Sequence, residues 1–465
     1  MKQYKYLIVF IVLIGFSSCQ VLNRYKVPEL DSRDLYGELT SSDSTTIASI
    51  PWQEYFADTH LVKLIEEGLN NNYDLRIAFT RIQQAEASLS MAKAAYFPNI
   101  ALVGQVNHTS ASMGTAGKDV LGYNNTNYVL GVSAGWELDV WGKMNRQSRA
   151  KYAQFLSSHA YKNLIRTSLI ANIATSYYSL MALDEKLLIT KRTLVLLEEN
   201  VETVEALKEA GILNGAAVEQ SKVLLYSTQV TVPELESQIR KLENSISTML
   251  GRKQGSKIER SFLRLQQYPQ HLEYGIPAQM LAKRPDVQQT ELAFRSAFEL
   301  TNVAQASFYP TIMLSSGTIG YGTYNTLANF FKPENLFASI IGGLTQPLFA
   351  RKQLTVNLKI AKAQQQEALL AFEKSVLLAS EEVTSILLSF ESSLQKEEAR
   401  KMQVKACLNS VDFTRELLMA GDANYTEVLN AQQNLLSALL NQTNDKLEQL
   451  NCSVNLYKVL GGGGE

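Results

Sequence analysis

Residues 128–143 read Tyr-Val-Leu-Gly-Val-Ser-Ala-Gly-Trp-Glu-Leu-Asp-Val-Trp-Gly-Lys. In an extended chain Tyr128, Leu130, Val132, Ala134, Trp136, Leu138 and Val140 fall on one face, and Gly131, Ser133, Gly135, Glu137 and Asp139 on the other. Because side chains alternate across a strand, this stretch is a strand with one apolar face and one small or acidic face. The period then changes. From Gly142 to Glu209 there are 68 residues without a proline, enough for a helix of roughly 100 Å at 1.5 Å per residue. Within it Leu187, Thr190, Leu194, Leu197, Val201 and Val204 step by three and four, a heptad seam that requires partner helices.

Working outward, the same order occurs twice, with a period near 210 residues. Asp74 to Pro98 and Asp286 to Pro310 are both 24 residues, and Gly211 to Gly251 and Gly421 to Gly461 are both 40. Val218 and Val428 fall at the same offset. Each copy opens with a helix, Asp58 to Ala95 in the first, that stops before a proline. Two strands follow, expected at about 98–108 and 127–141 in the first copy and about 310–321 and 337–348 in the second, with Gly- and Asn-rich tips between them. The second long helix, Ala350 to Met419, carries the seam Leu369, Phe372, Val376, Ala379, Val383, Ile386 and Phe390. Tight turns at Gly211 and Gly421 then return antiparallel helices to Leu250 and Leu460. The expected segments are 1–18 (signal), 19–57, a first repeat 58–251, a linker 252–277, a second repeat 278–461 and a tail 462–465.

At the N-terminus Lys2 and Lys5 precede an apolar run from Leu7 to Ile14, and Gly15, Ser17 and Ser18 lead into Cys19. This is a secretory signal ending in a cysteine, similar to a bacterial lipobox, with Phe16 where leucine is usual. Acylation of Cys19 would tether the mature chain to a membrane; the plainer alternative is a secreted protein with a free thiol. Beyond residue 20 no apolar run approaches the length of a transmembrane helix.

Composition narrows the function. With 44 Lys+Arg against 45 Asp+Glu there is no basic surplus for nucleic acid. Three cysteines, Cys19, Cys407 and Cys452, and four histidines, His60, His108, His159 and His271, stand in no metal-binding spacing. Gly317 to Gly322 sits in a strand, outside any nucleotide-loop context, and no Gly-x-Ser-x-Gly or Walker sequence occurs. No catalytic residue, metal or cofactor is expected.

Four strands with an apolar face raise a closure problem, because an open sheet in lipid leaves unpaired N–H and C=O groups costing several kcal/mol each. Four cannot close a barrel, whereas three chains supply about twelve strands, within the range of outer-membrane barrels. The competing reading is a soluble sheet capped by coiled coil in a periplasmic scaffold.

Three separated motifs resemble one family. Trp52, Phe56, Asp58 and Leu61 look like its W-x-x-x-F-x-D-x-x-L opening, followed by Leu64, Ile65, Asn72, Asp74 and Leu75. Pro277, Leu281, Arg284, Pro285 and Asp286 resemble its P-x-x-L-L-x-x-R-P-D segment, and Trp136 to Lys143 its strand-exit signature. The family is the TolC-type outer-membrane efflux proteins, in the lipoprotein branch serving RND multidrug pumps. The resemblance implies a mixed α and β membrane protein. Its trimer would form a 12-strand outer-membrane β-barrel continuous with a periplasmic α-helical barrel. Residues 20–57, the linker and the C-terminus would form an equatorial collar. The localisation implied is the outer membrane, lipid-anchored through Cys19. The partners implied are a periplasmic adaptor and an inner-membrane RND-type pump, and the role is passive conduction of drugs or other small molecules. A type I protein-secretion exit and a non-conducting lipoprotein scaffold are the alternatives.

The resemblance also places candidate sites. The family's G-x-x-x-x-x-D-V-L-D-A-like motif reads here from Gly421 to Gln432, so Glu427 and Asn430, with Thr426 beside them, match the ring that closes the periplasmic aperture. Asn430 departs from the commoner Asp, which puts strong cation selectivity in doubt. The plainer reading of Glu427 is a solvated helix charge. Gly211, Asn214, Gly421 and Asp422 resemble adaptor-contacting tips, and the glycines also read as helix C-caps. Glu137 and Asp139 face the non-lipid side, either lining the lumen or solvating a strand end.

Overall fold

In the computed structural model of the chain, residues 23–28, 47–110, 124–267 and 283–464 are described. The signal, Cys19, Pro277 and Leu281 lie outside the described residues, as do His271 and part of the expected collar. Besides one four-residue helix at Trp52–Tyr55 and short 3-10 turns, the described helices, in order, are α1 (Thr59–Asn71), α2 (Tyr73–Ala94), α3 (Lys143–Glu209), α4 (Gly215–Met249), α5 (Pro285–Ala306), α6 (Gln353–Ala420) and α7 (Tyr425–Val459). The strands are β1 (Asn99–Ser110) and β2 (Asn124–Leu138) before α3, and β3 (Thr311–Tyr324) and β4 (Leu336–Thr345) before α6. The duplicated order is therefore present, and the two long helices run 67 and 68 residues. No described helix is long and apolar enough to cross a membrane.

The opening helix, expected as one piece from Asp58, is two. At Asn72 the backbone turns extended, with φ −60° and ψ 131°. Its side chain accounts for the break: Oδ1 accepts the Leu75 N–H at 3.0 Å, and Nδ2 donates to the Met249 carbonyl at 2.9 Å. Asn72 thus caps α2 and satisfies an orphan carbonyl at the end of α4. In the second repeat Arg284 stands before α5 and donates Nη1 to the Val459 carbonyl at 3.0 Å, the equivalent bond at the end of α7. Arg284 also grips Asp286 at 3.0 and 2.7 Å and Glu382 at 2.7 Å while only 7% exposed. A buried guanidinium needs such charged partners, which explains the Arg-Pro-Asp triplet.

The chain divides into two compact units. One comprises residues 1–29, 82–158 and 290–372 and contains the sheet. The sheet is an antiparallel meander in the order β1-β2-β3-β4, so β1 and β4 are its edges. Its register sets Leu102 opposite Val132, Val132 opposite Ile319, Trp136 opposite Leu314, and Ile312 opposite Leu344. A bulge after Ser316 shifts the parity of β3, so that Ile319 and Tyr321 rejoin the face of Ile312 and Leu314. One apolar face therefore runs unbroken across all four strands, and it is open, with Leu102 76% and Ile340 78% exposed. The opposite face mixes small and polar residues, Ala101, Gln105, Asn127, Ser133 and Gly135, with Val103, Val129, Met313 and Ile341. Aromatic anchors fix the strand exits: Trp136 Nε1 donates to the Tyr96 carbonyl at 2.8 Å and Trp141 Nε1 to that of Pro310 at 2.7 Å. Beneath them Glu299, fully buried, accepts from Arg146 Nη1 at 2.9 Å. Tyr25 packs on Phe294 and Phe298 of α5, its hydroxyl donating to Glu291 at 3.0 Å.

The other unit comprises residues 30–81, 159–289 and 373–465. Its core gathers Trp52, Phe56, Leu61 and Ile65 with Ile170, Ile173, Tyr177 and Met181 of α3, Val383 of α6 and Leu456 of α7. Each such buried side chain contributes about 1.5–3 kcal/mol. The expected seams are interior where they enter this unit, with Thr190, Leu197, Val204, Val376, Ala379, Val383 and Phe390 all buried. Asp58 caps α1 by accepting the His60 N–H at 2.8 Å. Its Oδ2 also takes Tyr177 Oη at 2.9 Å, Gln266 Nε2 at 2.9 Å and the Ser261 hydroxyl. Burial alone would raise this carboxyl, but the hydrogen bonds from Ser261, Tyr177, His60 and Gln266 outweigh it and hold it below its ordinary value. Arg260 pins the linker, reaching Asp184 at 2.5 and 3.0 Å and Glu243 at 2.6 Å. Cys452 is buried, Cys407 half-buried, and both thiols are free.

Candidate functional site

Two elements of the fold bear on function: the helix-hairpin ends and the two-faced sheet. At the first hairpin α3 ends in a left-handed residue, Gly211 (φ 73°), with Gly211 N–H bonded to Lys208 O at 2.9 Å and Ile212 N–H to Leu207 O at 2.9 Å. The second repeats this geometry at Gly421 (φ 84°), whose N–H meets Leu418 O at 3.1 Å while that of Asp422 meets Leu417 O at 2.9 Å. Both are Schellman ends, for which glycine is the residue without steric penalty. Asn214 then caps α4 by accepting from Ala217 N–H at 3.1 Å, and Asn424 caps α7 by accepting from Thr426 N–H at 3.1 Å. Two sharp reversals result, each with three residues from its left-handed glycine to its capping asparagine. Gly211, Asn214, Gly421 and Asp422 are all exposed on them.

The first turns of α7 are sorted by face. Tyr425, Val428 and Leu429 are buried against Val204, Ala217 and Val218, while Thr426, Glu427 and Asn430 are exposed. At about 100° per residue these three occupy one side of the helix and the buried three the opposite side. The structure thus brings the sequence-predicted aperture residues together on one open face. Glu427 in the first turn also complements the positive end of the helix.

Behind that face lies a contact that sequence reasoning did not single out. Tyr425 Oη accepts from Asn200 Nδ2 of α3 at 2.8 Å and lies 2.7 Å from Ser221 Oγ of α4. Asn200 Nδ2 also donates to Gln432 Oε1 at 3.2 Å. Burial pushes the Tyr425 hydroxyl up, against the lowering effect of Ser221 and Asn200, so it stays protonated near neutral pH. One phenol therefore ties three helices at the foot of the exposed trio. The available signal was an aromatic directly after an Asn cap, unexpected on a solvated helix start.

Glu137 and Asp139 are placed at the exit of β2. Glu137 is ion-paired with Lys143 at 2.9 Å. Asp139 accepts from the Met144 and Asn145 N–H groups at 2.9 and 2.8 Å, satisfying orphan donors at the start of α3. Among the described residues there is no group of three or more His, Cys, Asp or Glu able to hold a metal ion.

Comparison with known proteins follows the duplication. A family model described as outer membrane efflux protein matches residues 64–252 and again 276–462, one match per repeat. The chain is 27% identical over 415 residues to the probable outer membrane lipoprotein SilC of Salmonella typhimurium, covering 89% of this chain and 88% of that one. It is 25% identical over 471 residues to the cation efflux system protein CusC of Escherichia coli K12, covering 98% and 99%. Among solved structures, the open state of the Neisseria gonorrhoeae MtrE outer membrane channel superposes with a TM-score of 0.84 at 24% identity, over 96% of this chain and 99% of that one. That likeness establishes the fold.

Proposed function

The chain belongs to the outer membrane efflux protein family, and from that premise we propose that it is the exit duct of a tripartite efflux system. It conducts drugs or other small molecules passively from an inner-membrane RND-type pump and a periplasmic adaptor to the outside, and it catalyses no reaction. The observation that carries this reading is a four-strand meander with two unpaired edges and one continuous apolar face. In lipid each open edge leaves a row of unsatisfied backbone groups, so the sheet is complete only when β4 of one chain pairs with β1 of the next. Three chains close about twelve strands around a lumen lined by the opposite, mixed face of the sheet.

Within that trimer Thr426, Glu427 and Asn430 ring the periplasmic aperture, since they form an exposed face backed by a packed one. Three Glu427 carboxylates around one axis favour cations, and Asn430 adds hydrogen-bonding capacity without a second ring of charge. Tyr425 holds the ring in place by binding α7 to α3 and α4. Gly211, Asn214, Gly421 and Asp422 form the tips that meet the adaptor, and Glu137 and Asp139 sit at the periplasmic mouth of the barrel, where Asp139 also fixes the start of α3. The acylated Cys19 anchors the chain to the outer membrane. The names of two relatives, an outer membrane lipoprotein and a cation efflux protein, support both the anchor and the export role.

The test is reconstitution of the purified full-length protein in planar bilayers. A duct gives stepwise ionic current, and deletion in the cell raises susceptibility to exported compounds. Silent bilayers together with unchanged susceptibility would replace this reading with the scaffold.

A further inference from the structure

The connection between β3 and β4 folds back along the sheet. Thr323, near the end of β3, is only 5% exposed, and its hydroxyl donates to the Thr326 carbonyl at 2.7 Å. The rings of Phe330 and Phe331 lie 6.4 and 5.5 Å from that of Tyr321 and 5.1 Å from each other. Tyr321 pairs with Leu130 and Leu336, which places it on the apolar face. The loop is held in this position by its own bonds. Asn325 and Asn329 adopt left-handed conformations (φ 57° and 66°), Asn325 Oδ1 accepts from Thr126 N–H at 2.7 Å, and Asn335 Nδ2 donates to the Asn329 carbonyl at 2.9 Å. Despite that fixation, Leu327 is 60% and Phe331 67% exposed, extending the row of Leu336, Ile340 and Leu344.

A fixed loop that presents leucine and phenylalanine outward, in continuity with an exposed apolar face, is built for a nonaqueous neighbour. Tyr321 and Phe331 also have the character of the aromatic girdle found where a barrel meets the headgroup level. We propose that residues 325–335 are a lipid-seated flap: Leu327, Phe330 and Phe331 rest among the upper acyl chains of the outer leaflet, on the outside of the barrel. Lys332 and Glu334, which follow directly, lie at the polar headgroups. The flap widens each chain's grip on the leaflet and leaves the mouth of the lumen uncovered by this connection. The inference rests on the reading that the apolar face of the sheet meets lipid.

The experiment places a nitroxide label at Leu327→Cys, Phe331→Cys and, as the reference on the strand face, Ile340→Cys, each in a Cys407→Ser background. The acylated full-length protein is reconstituted in phospholipid vesicles. Relaxation by oxygen, concentrated in lipid, is compared with relaxation by a water-soluble nickel chelate. The expected result is an oxygen-to-nickel accessibility ratio above unity at all three positions. Labels at 327 and 331 that relax mainly with nickel, while 340 reads as lipid, overturn the flap and leave the barrel reading intact. Labels at 327 and 331 shielded from both reagents also overturn it, since a neighbouring chain then covers the loop. A nickel-dominated response at 340 as well overturns the membrane placement of the whole face.

Discussion

Asp58 caps the start of α1 and Glu427 lies in the first turn of α7, two carboxylates at helix N-termini in opposite surroundings. Asp58 accepts four hydrogen bonds, from the His60 N–H, Tyr177, Gln266 and Ser261. Asp58→Asn keeps the shape but turns an NH2 group toward donors, at a cost of about 1–3 kcal/mol. Because the folded-state pKa is depressed, the stabilisation is fully present above the unfolded value, about 3.9, and disappears as pH falls through the folded value. The melting temperature of the variant in detergent should therefore fall below that of the native protein at pH 7, and the gap should close below about pH 4. Glu427 is exposed, and in the proposed aperture it faces the conducted ions. Glu427→Ala should raise conductance or reduce cation preference in planar bilayers; identical reversal potentials and current-voltage curves would remove it from the aperture.

At the scale of elements, the two repeats solve the same junctions with different residues. Asn72 and Arg284 each reach the last carbonyl of a return helix, and Gly211 and Gly421 each end a long helix in the left-handed conformation. The tie at Tyr425 joins α3, α4 and α7, and Tyr425→Phe leaves Ser221 and Asn200 facing a ring edge. A loss of about 1–3 kcal/mol at the hairpin is expected. It should be read as longer or more frequent open states in single-channel recordings, with gross assembly retained. The junction between repeats within the sheet is β2 against β3, where Gly131 pairs with Gly320. A Cβ on Gly320 would run into the Leu130 carbonyl and the Gly131 backbone. Gly320→Val should cost about 1–3 kcal/mol or more through overpacking, measured as a fall in the yield of membrane-inserted protein and in its melting temperature.

At the scale of the molecule, the chain alone presents an incomplete surface. Among the described residues the edges of β1 and β4 have no strand partner, and most of the apolar face is exposed. In the trimer we propose, closure by symmetry would remove both liabilities, bringing three sets of four strands to a barrel with an open lumen. Electron microscopy of the detergent-extracted, membrane-fraction protein is expected to show threefold particles with a central channel. Twofold or solid particles would mean that the sheet is completed in some other way.

Much of this was legible in residue order, because periodicity is a local property. The alternation of residues 128–140, the heptad seams and the spacing of the paired glycines specified strands, long helices and turns without reference to any neighbour, and the structure places those elements within a few residues. The break at Asn72 was not legible, since a capping asparagine and a mid-helix asparagine differ only in whether a carbonyl such as Met249 O lies within reach. The trio at 426, 427 and 430 was singled out by the family resemblance of its motif, whereas the contact of Tyr425 behind it depends on Asn200 and Ser221, more than 200 positions away in the chain. The same holds for the flap: a Gly- and Asn-rich tip announces a loop, and only contact with Tyr321 decides which face it covers. Sequence determined the elements and their order through short-range sterics and hydrophobic period. Tertiary structure decided the ties, because hydrogen bonds and packing between distant residues depend on positions in space.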